Sequence, residues 1–267
     1  MSPGSDRTDR AADALFASAL AAGESRPAAR AVLDLPVEEQ VLVAVLRRAV
    51  PAAFLEEVAA TRPWSERPRV LAAVVASPRS PRSLGLRLVG SLSWRELADV
   101  AATMRLSAAV RARAESLLRD GMPDLRLGDR VTLARLATPP LLGLLLADAE
   151  PRVVEAALDN PRLREEDLVR ALRRDDVPRA LVEGAAASPR WRDVYAVRLA
   201  LVLQPKTPLP LALLQISSLV PGDLRRVAGE AALRPLLRAA ATRVLEVGSA
   251  GNSLRLNDIL TVPKRRT

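Results

Sequence analysis

The chain has 267 residues, 49% of them hydrophobic, a net charge of +9, and neither cysteine nor histidine. That length and apolar content exclude a disordered polymer and fit one large or two ordinary domains with a packed core. Without thiol or imidazole there is no disulfide, no thiolate or imidazole metal site and no Ser/His or Cys/His catalytic arrangement, which leaves carboxylates as the surviving chemistry and no cofactor to expect.

The chain opens MSPGSDRTDRAADALFASAL. Its polar start, and Asp9 and Asp13 beside the short apolar run, are unlike a signal peptide, so a mature N-terminus is expected. The densest apolar run, PPLLGLLLA at 139–147, is far short of the ~20 residues that cross a bilayer. Lack of cysteine fits a reducing compartment, and a cytoplasmic protein without membrane insertion is the expectation.

Leu, Ala, Val, Arg and Glu dominate, and the aromatics are Phe16, Phe54, Trp64, Trp94, Trp191 and Tyr195. This is helix-forming chemistry, since strands favour β-branched and aromatic residues. Proline tolerates the first turn of a helix and breaks its interior, so it marks the starts. Pro36 precedes VEEQVLVAVLRRA, Pro51 precedes AAFLEEVAA and Pro68 precedes RVLAAVVA. Ser93 and Ser107 are placed to cap WRELADVAA and AAVRARAESLL. Further on, Pro151, Pro208 and Pro221 open RVVEAALD, LPLALLQI and GDLRRVAGEAAL. Each run sets apolar residues at three- and four-residue steps, and no segment alternates with period two. The spacing predicts about seventeen short helices, most of about 8 to 14 residues, too short to stand without packing on their neighbours.

One punctuation recurs. ASPR (76–79), DNPR (159–162), ASPR (187–190) and LQPK (203–206) each follow an apolar helix, and Thr138-Pro139 is a partial copy. Asn, Ser or Gln can bond free backbone groups at a helix end, and the proline stops the helix. Pro161 and Pro189 stand one repeat step apart and Pro78 and Pro161 about three, but Pro189 and Pro205 are closer than one step, so the repeat is degenerate and its last copy falls on a different helix of its pair. The breaks and paired short helices resemble those of bacterial HEAT-like and leucine-rich-repeat-variant proteins over residues 67–246, most closely LQPKTPLPLALLQISSLVPGDLRRVAGEAALRPLLRAAATRVL (203–245), and more weakly over 7–62. The resemblance implies a curved α-solenoid that binds protein, and it brings no shared catalytic residues. The expected fold is therefore all-α, a single right-handed α-solenoid (a HEAT/armadillo-like superhelix) whose curvature gives an extended concave surface. The expected organisation is an N-terminal helical cap at 1–66, a repeat domain at 67–246, and a tail at 247–267 docked by Leu254, Leu256, Ile259 and Leu260.

Charge is uneven. Residues 67–130 hold 12 basic and 6 acidic groups, and residues 194–267 hold 11 and 4. Such segments attract nucleic acid, anionic lipid or acidic partners. Of the 40 bases only Lys206 and Lys264 are lysine, a usage that also reads as coding bias. The bases that follow the repeat prolines, Arg79, Arg162, Arg190 and Lys206, form a candidate binding ladder. Trp191 between Arg190 and Arg192 is a candidate anchor, against the alternatives of a core plug and solvated loop bases. Glu165, Glu166 and Asp167 read as a first-turn cluster favoured by the helix dipole, and Asp175 and Asp176 as a helix-end turn. Nucleotide, nucleophile-elbow and metal motifs are absent. Helical-repeat DNA glycosylases offer a comparison, but their catalytic aspartate and aromatic pair find no place on this sequence. The leading expectation is a non-enzymatic scaffold binding another protein; the alternative is a solenoid that holds nucleic-acid phosphates without reading sequence.

Overall fold

The computed structural model describes residues 3–249, with side chains from 7 to 248. The described residues contain helices and turns and no strand, in agreement with the all-α expectation. They divide into two compact units, the first ending at Arg126 and the second starting at Leu127. An ion pair from Arg67 Nη1 to Glu39 Oε2 (2.7 Å) joins the start of the expected repeat domain to the expected N-terminal cap.

In the first unit the helices are α1 (Pro3–Ala22), α2 (Arg26–Leu33), α3 (Glu39–Leu46), α4 (Ala52–Ala60), α5 (Pro68–Ala76), α6 (Arg82–Leu88), α7 (Trp94–Ala102) and α8 (Ala108–Gly121). The odd-numbered helices α1, α3, α5 and α7 pack in one row, while α2 packs on α4 and α6 on α8. The cause is the short break between helices, which reverses the chain and leaves every second helix in the same row. Val41, Leu42, Val45 and Leu46 of α3 and Val70, Leu71, Val74 and Val75 of α5 are buried. A run of two adjacent apolar positions every turn is what a helix covered on two sides requires. Gly23, at φ 54°, closes α1 and bonds Leu20 O at 3.1 Å, the left-handed position that glycine takes most easily.

The second unit holds α9 (Leu127–Leu136), α10 (Pro139–Leu145), α11 (Pro151–Leu158), α12 (Glu165–Leu172), α13 (Arg179–Ala187), α14 (Tyr195–Leu203), α15 (Leu209–Ile216), α16 (Pro221–Gly229) and α17 (Pro235–Ser249). Here α9, α11 and α13 form one row, α10, α12, α14 and α16 the other, and α15 packs on α14 and α17. Gly184 lets α13 approach α11 closely, because a Cβ there would lie 3.0 Å from Leu158 Cδ1.

Helix starts follow the prolines. Pro51 and Pro208 stand one residue before α4 and α15, and Pro68, Pro151 and Pro221 are the first residues of α5, α11 and α16. Ser107 accepts the Val110 N–H (3.4 Å) as a cap should, whereas the Ser93 hydroxyl donates to the Glu96 carboxylate and caps no backbone group. At the C-terminal end α17 runs to Ser249, so the helical period outlasts the expected break at residue 247. Leu254, Leu256, Ile259 and Leu260, expected to dock the tail, lie outside the described residues.

Candidate functional site

The helix breaks come first, because the expected binding residues sit there. After α11, Asn160 is 1% exposed. Its Nδ2 donates to three carbonyls at the end of α9: Ala134 O (2.7 Å), Arg135 O (3.0 Å) and Ala137 O (3.3 Å). Its Oδ1 accepts the Arg162 N–H at 2.8 Å, closing an Asx turn over Pro161. Gln204 repeats the arrangement, giving Nε2 to Leu172 O (2.7 Å) and Arg174 O (3.0 Å) and accepting the Lys206 N–H at 3.2 Å. The last carbonyls of a helix have no partner within it, and burying them unpaired costs about 1–3 kcal/mol each. The amide therefore belongs to the join between neighbouring helices of one row.

The bases after the prolines are drawn into the same task. Arg162 Nη1 donates to Leu136 O (3.0 Å). Arg190 donates to Leu158 O (3.4 Å), Asn160 O (2.7 Å) and Leu163 O (2.9 Å), with its guanidinium 4.4 Å from the centre of the Trp191 ring. Trp191 is 5% exposed and gives its indole N–H to Leu158 O at 2.8 Å. Arg79 reaches Glu24 (3.4 Å), and Arg192 pairs with Asp193 (3.4 Å), whose carboxyl the guanidinium groups of Arg198 and then Arg192 hold below its usual range. Lys206 is exposed. Arg162, Arg190 and Trp191 thus bond carbonyls of their own chain. Glu165, Glu166 and Asp167 open α12, and Asp176 is held low by its bond to Arg174. Among the described residues no three such side chains gather to hold a metal ion, and no helix is long and apolar enough to cross a membrane.

A different place has the shape of a site. Along α3, α5 and α7 runs an open groove of about 930 Å³. The Arg67–Glu39 ion pair ties the first turn of α3 to the start of α5, and Ser77 Oγ on Arg48 O (3.3 Å) ties their far ends. Arg105 Nη2 on Ala76 O (3.1 Å) joins the far ends of α5 and α7. The floor is small and apolar, made by Val43, Ala44, Ala72, Ala73, Ala76 and Val100. Above it stand four carboxylates, Glu38, Glu39, Glu96 and Asp99, and three guanidinium groups, Arg47, Arg69 and Arg105. Acids at helix starts and bases at helix ends offset the helix dipole, which accounts for Glu38, Glu39, Glu96, Arg47 and Arg105. It does not account for Asp99, in the middle of α7, or for Arg69, at the start of α5. Partial burial, and then the neighbouring Glu96 carboxylate, push the Asp99 carboxyl up from its usual range.

These groove residues escaped the sequence reading because each looks ordinary in its own helix. The signal lies in register: Arg47, Ala76 and Arg105 recur at one spacing, as do Val43 and Ala72. The chain matches no family model, no curated protein and no solved structure.

Proposed function

We propose that the chain is a non-enzymatic helical-repeat protein that binds another protein along the α3–α5–α7 groove, and that the helices within each unit follow the right-handed HEAT-like α-solenoid pattern. The packing of every second helix and the recurrent ties between neighbouring row members support the architectural half. For the functional half, the mixed charge of the groove is the observation that carries most weight. Carboxylates and guanidinium groups alternate along the groove, so it offers a polyphosphate no basic surface, while a polypeptide supplies charges of both signs and apolar side chains for the alanine floor. Groups that meet a ligand's charge in a partly desolvated groove are also worth more than those on an open face.

A second reading keeps one observation in its favour. Arg82 and Arg87 of α6 and Arg113 and Arg119 of α8 are exposed and have no acidic partner among the described residues. Basic helices so placed suit nucleic-acid phosphates. An electrophoretic shift with nonspecific duplex across a salt series separates the readings. The protein-binding reading expects no shift at low salt; a shift that weakens steeply with added salt would favour nucleic acid.

A further inference from the structure

On the protein-binding reading of the α3–α5–α7 groove, on which this rests, we propose that its occupant is an amphipathic helix whose apolar stripe is flanked by basic residues on one side and acidic residues on the other. Each of the three helices lines the groove with one stripe of side chains at steps of three and four. On α5 the stripe is Arg69, Ala72, Ala73 and Ala76, and the matching stripes lie within residues 40–47 of the α3 segment and 96–103 of the α7 segment. The three helices run in the same direction, since starts are tied to starts and ends to ends. The groove therefore crosses the stripes with one edge at the helix starts and the other at the helix ends. Its dimensions select a helix. A stripe from i to i+7 is ~10 Å long, the breadth of an α-helix with its side chains and about twice the ~4.8 Å that an extended strand takes up in a sheet. Three packed helices at ~8–10 Å spacing make a floor ~16–20 Å long, which about 11 to 13 helical residues span. The middle of that floor is alanine and valine, which leaves room for the large apolar side chains of such a helix.

The edges select its flanks. At the helix starts stand Glu38, Glu39 and Glu96, with Asp99 one turn further in, against the single base Arg69 on the middle helix. Glu39 pairs with Arg67, while Glu38 accepts from the Gln40 amide and Glu96 from the Ser93 hydroxyl, neutral donors that leave both charges uncompensated. At the helix ends stand Arg47 and Arg105, with Ala76 between them, and no acid among the described residues lines that edge. The side chains of Arg47, Arg69 and Asp99 have no ion-pair partner among the described residues, so a bound segment meets their charges unspent. A helix with lysine or arginine toward the starts and aspartate or glutamate toward the ends complements both edges, and its bases belong at the two ends of its flank, over α3 and α7, with the middle left to Arg69. A helix with like charges on both flanks opposes one edge.

The probes are three labelled synthetic peptides of about 14 residues, titrated into the full chain at low salt and followed by fluorescence anisotropy. All carry the same leucine stripe at helical spacing; one is flanked by lysine and glutamate, one by lysine on both sides and one by glutamate on both sides. Wild type is expected to bind the mixed peptide about fivefold or more tighter than either of the others. Arg47→Glu makes the end edge partly acidic and should shift the preference toward the lysine peptide; the Arg47 side chain is exposed and bonds nothing among the described residues, so the fold is expected to hold. A proline in the middle of the mixed peptide should weaken it by about tenfold or more, as a helical occupant requires. Equal affinity for the three peptides, the same order of preference in Arg47→Glu, or full affinity with the central proline would overturn the proposal. Ala72→Arg separates that failure from failure of the reading beneath it. If Ala72→Arg loses the proteins that wild type captures while the three peptides bind wild type alike, the groove still binds protein and only the flanked helix falls; if Ala72→Arg binds the peptides as tightly as wild type does, both fall.

Discussion

Asn160 and Ser188 occupy the same place in two copies of one tetrad, yet they do opposite things. The Asn160 amide reaches three carbonyls of the previous row member and closes its own turn. The Ser188 hydroxyl is too short for that reach and has no partner. The carbonyls at its join are met by the residues after the proline, through the Arg190 guanidinium and the Trp191 indole. Both breaks end in satisfied helix-end carbonyls, and a different residue supplies the donor in each. Tetrads of different sequence can therefore complete the same kind of join, because the accounting of buried backbone groups admits several donors.

The comparison can be broken by removing donors one at a time and following urea unfolding by circular dichroism. Trp191→Ala should cost most, about 3–5 kcal/mol, because it removes a buried ring and the donor to Leu158 O together. For Asn160→Ala the expected loss is about 2–4 kcal/mol, since three carbonyls and one N–H lose their partner in a site 1% exposed. Gln204→Ala, with two carbonyls released, should fall lower, at about 1–3 kcal/mol. Ser188→Ala should be neutral or slightly stabilising, because the hydroxyl it removes bonds nothing. Equal losses at positions 160 and 188 would show that the two breaks work alike, and would remove the contrast drawn between them.

The groove responds to pH in a direction fixed by Asp99. Its carboxyl titrates higher in the folded chain than unfolded, so the unfolded chain gives up this proton first and the folded state is penalised above that range. Asp99→Asn is expected to stabilise at neutral pH by less than about 1 kcal/mol, the exposure of the group keeping the effect small. The advantage should fade as pH drops through the Asp99 titration. A constant difference at all pH values would place its origin elsewhere.

How far the sequence could be read follows from which constraints are local. Proline geometry is written into the chain itself, so Pro51, Pro68, Pro151, Pro208 and Pro221 marked helix starts directly. The recurring Asn/Ser-Pro breaks were equally visible. The fate of the bases beside them was not, because Arg162 and Arg190 find their acceptors about one repeat earlier in the chain, at Leu136 and Asn160. An arginine after a helix break reads as a solvated surface group until the preceding repeat is placed beside it. The groove was hidden for the same reason: Arg69 and Asp99 become neighbours of one surface only when α5 and α7 lie side by side.

The breaks hold the chain together, whereas the proposed partner-binding surface is the groove. The most direct test of that assignment is affinity capture with wild type and with Ala72→Arg, quantified by mass spectrometry. Ala72 is a half-buried floor residue on α5, and arginine keeps good helix propensity there. The account predicts an unchanged unfolding midpoint and loss of the proteins that wild type recovers. Recovery of the same proteins at the same yield by Ala72→Arg would contradict it.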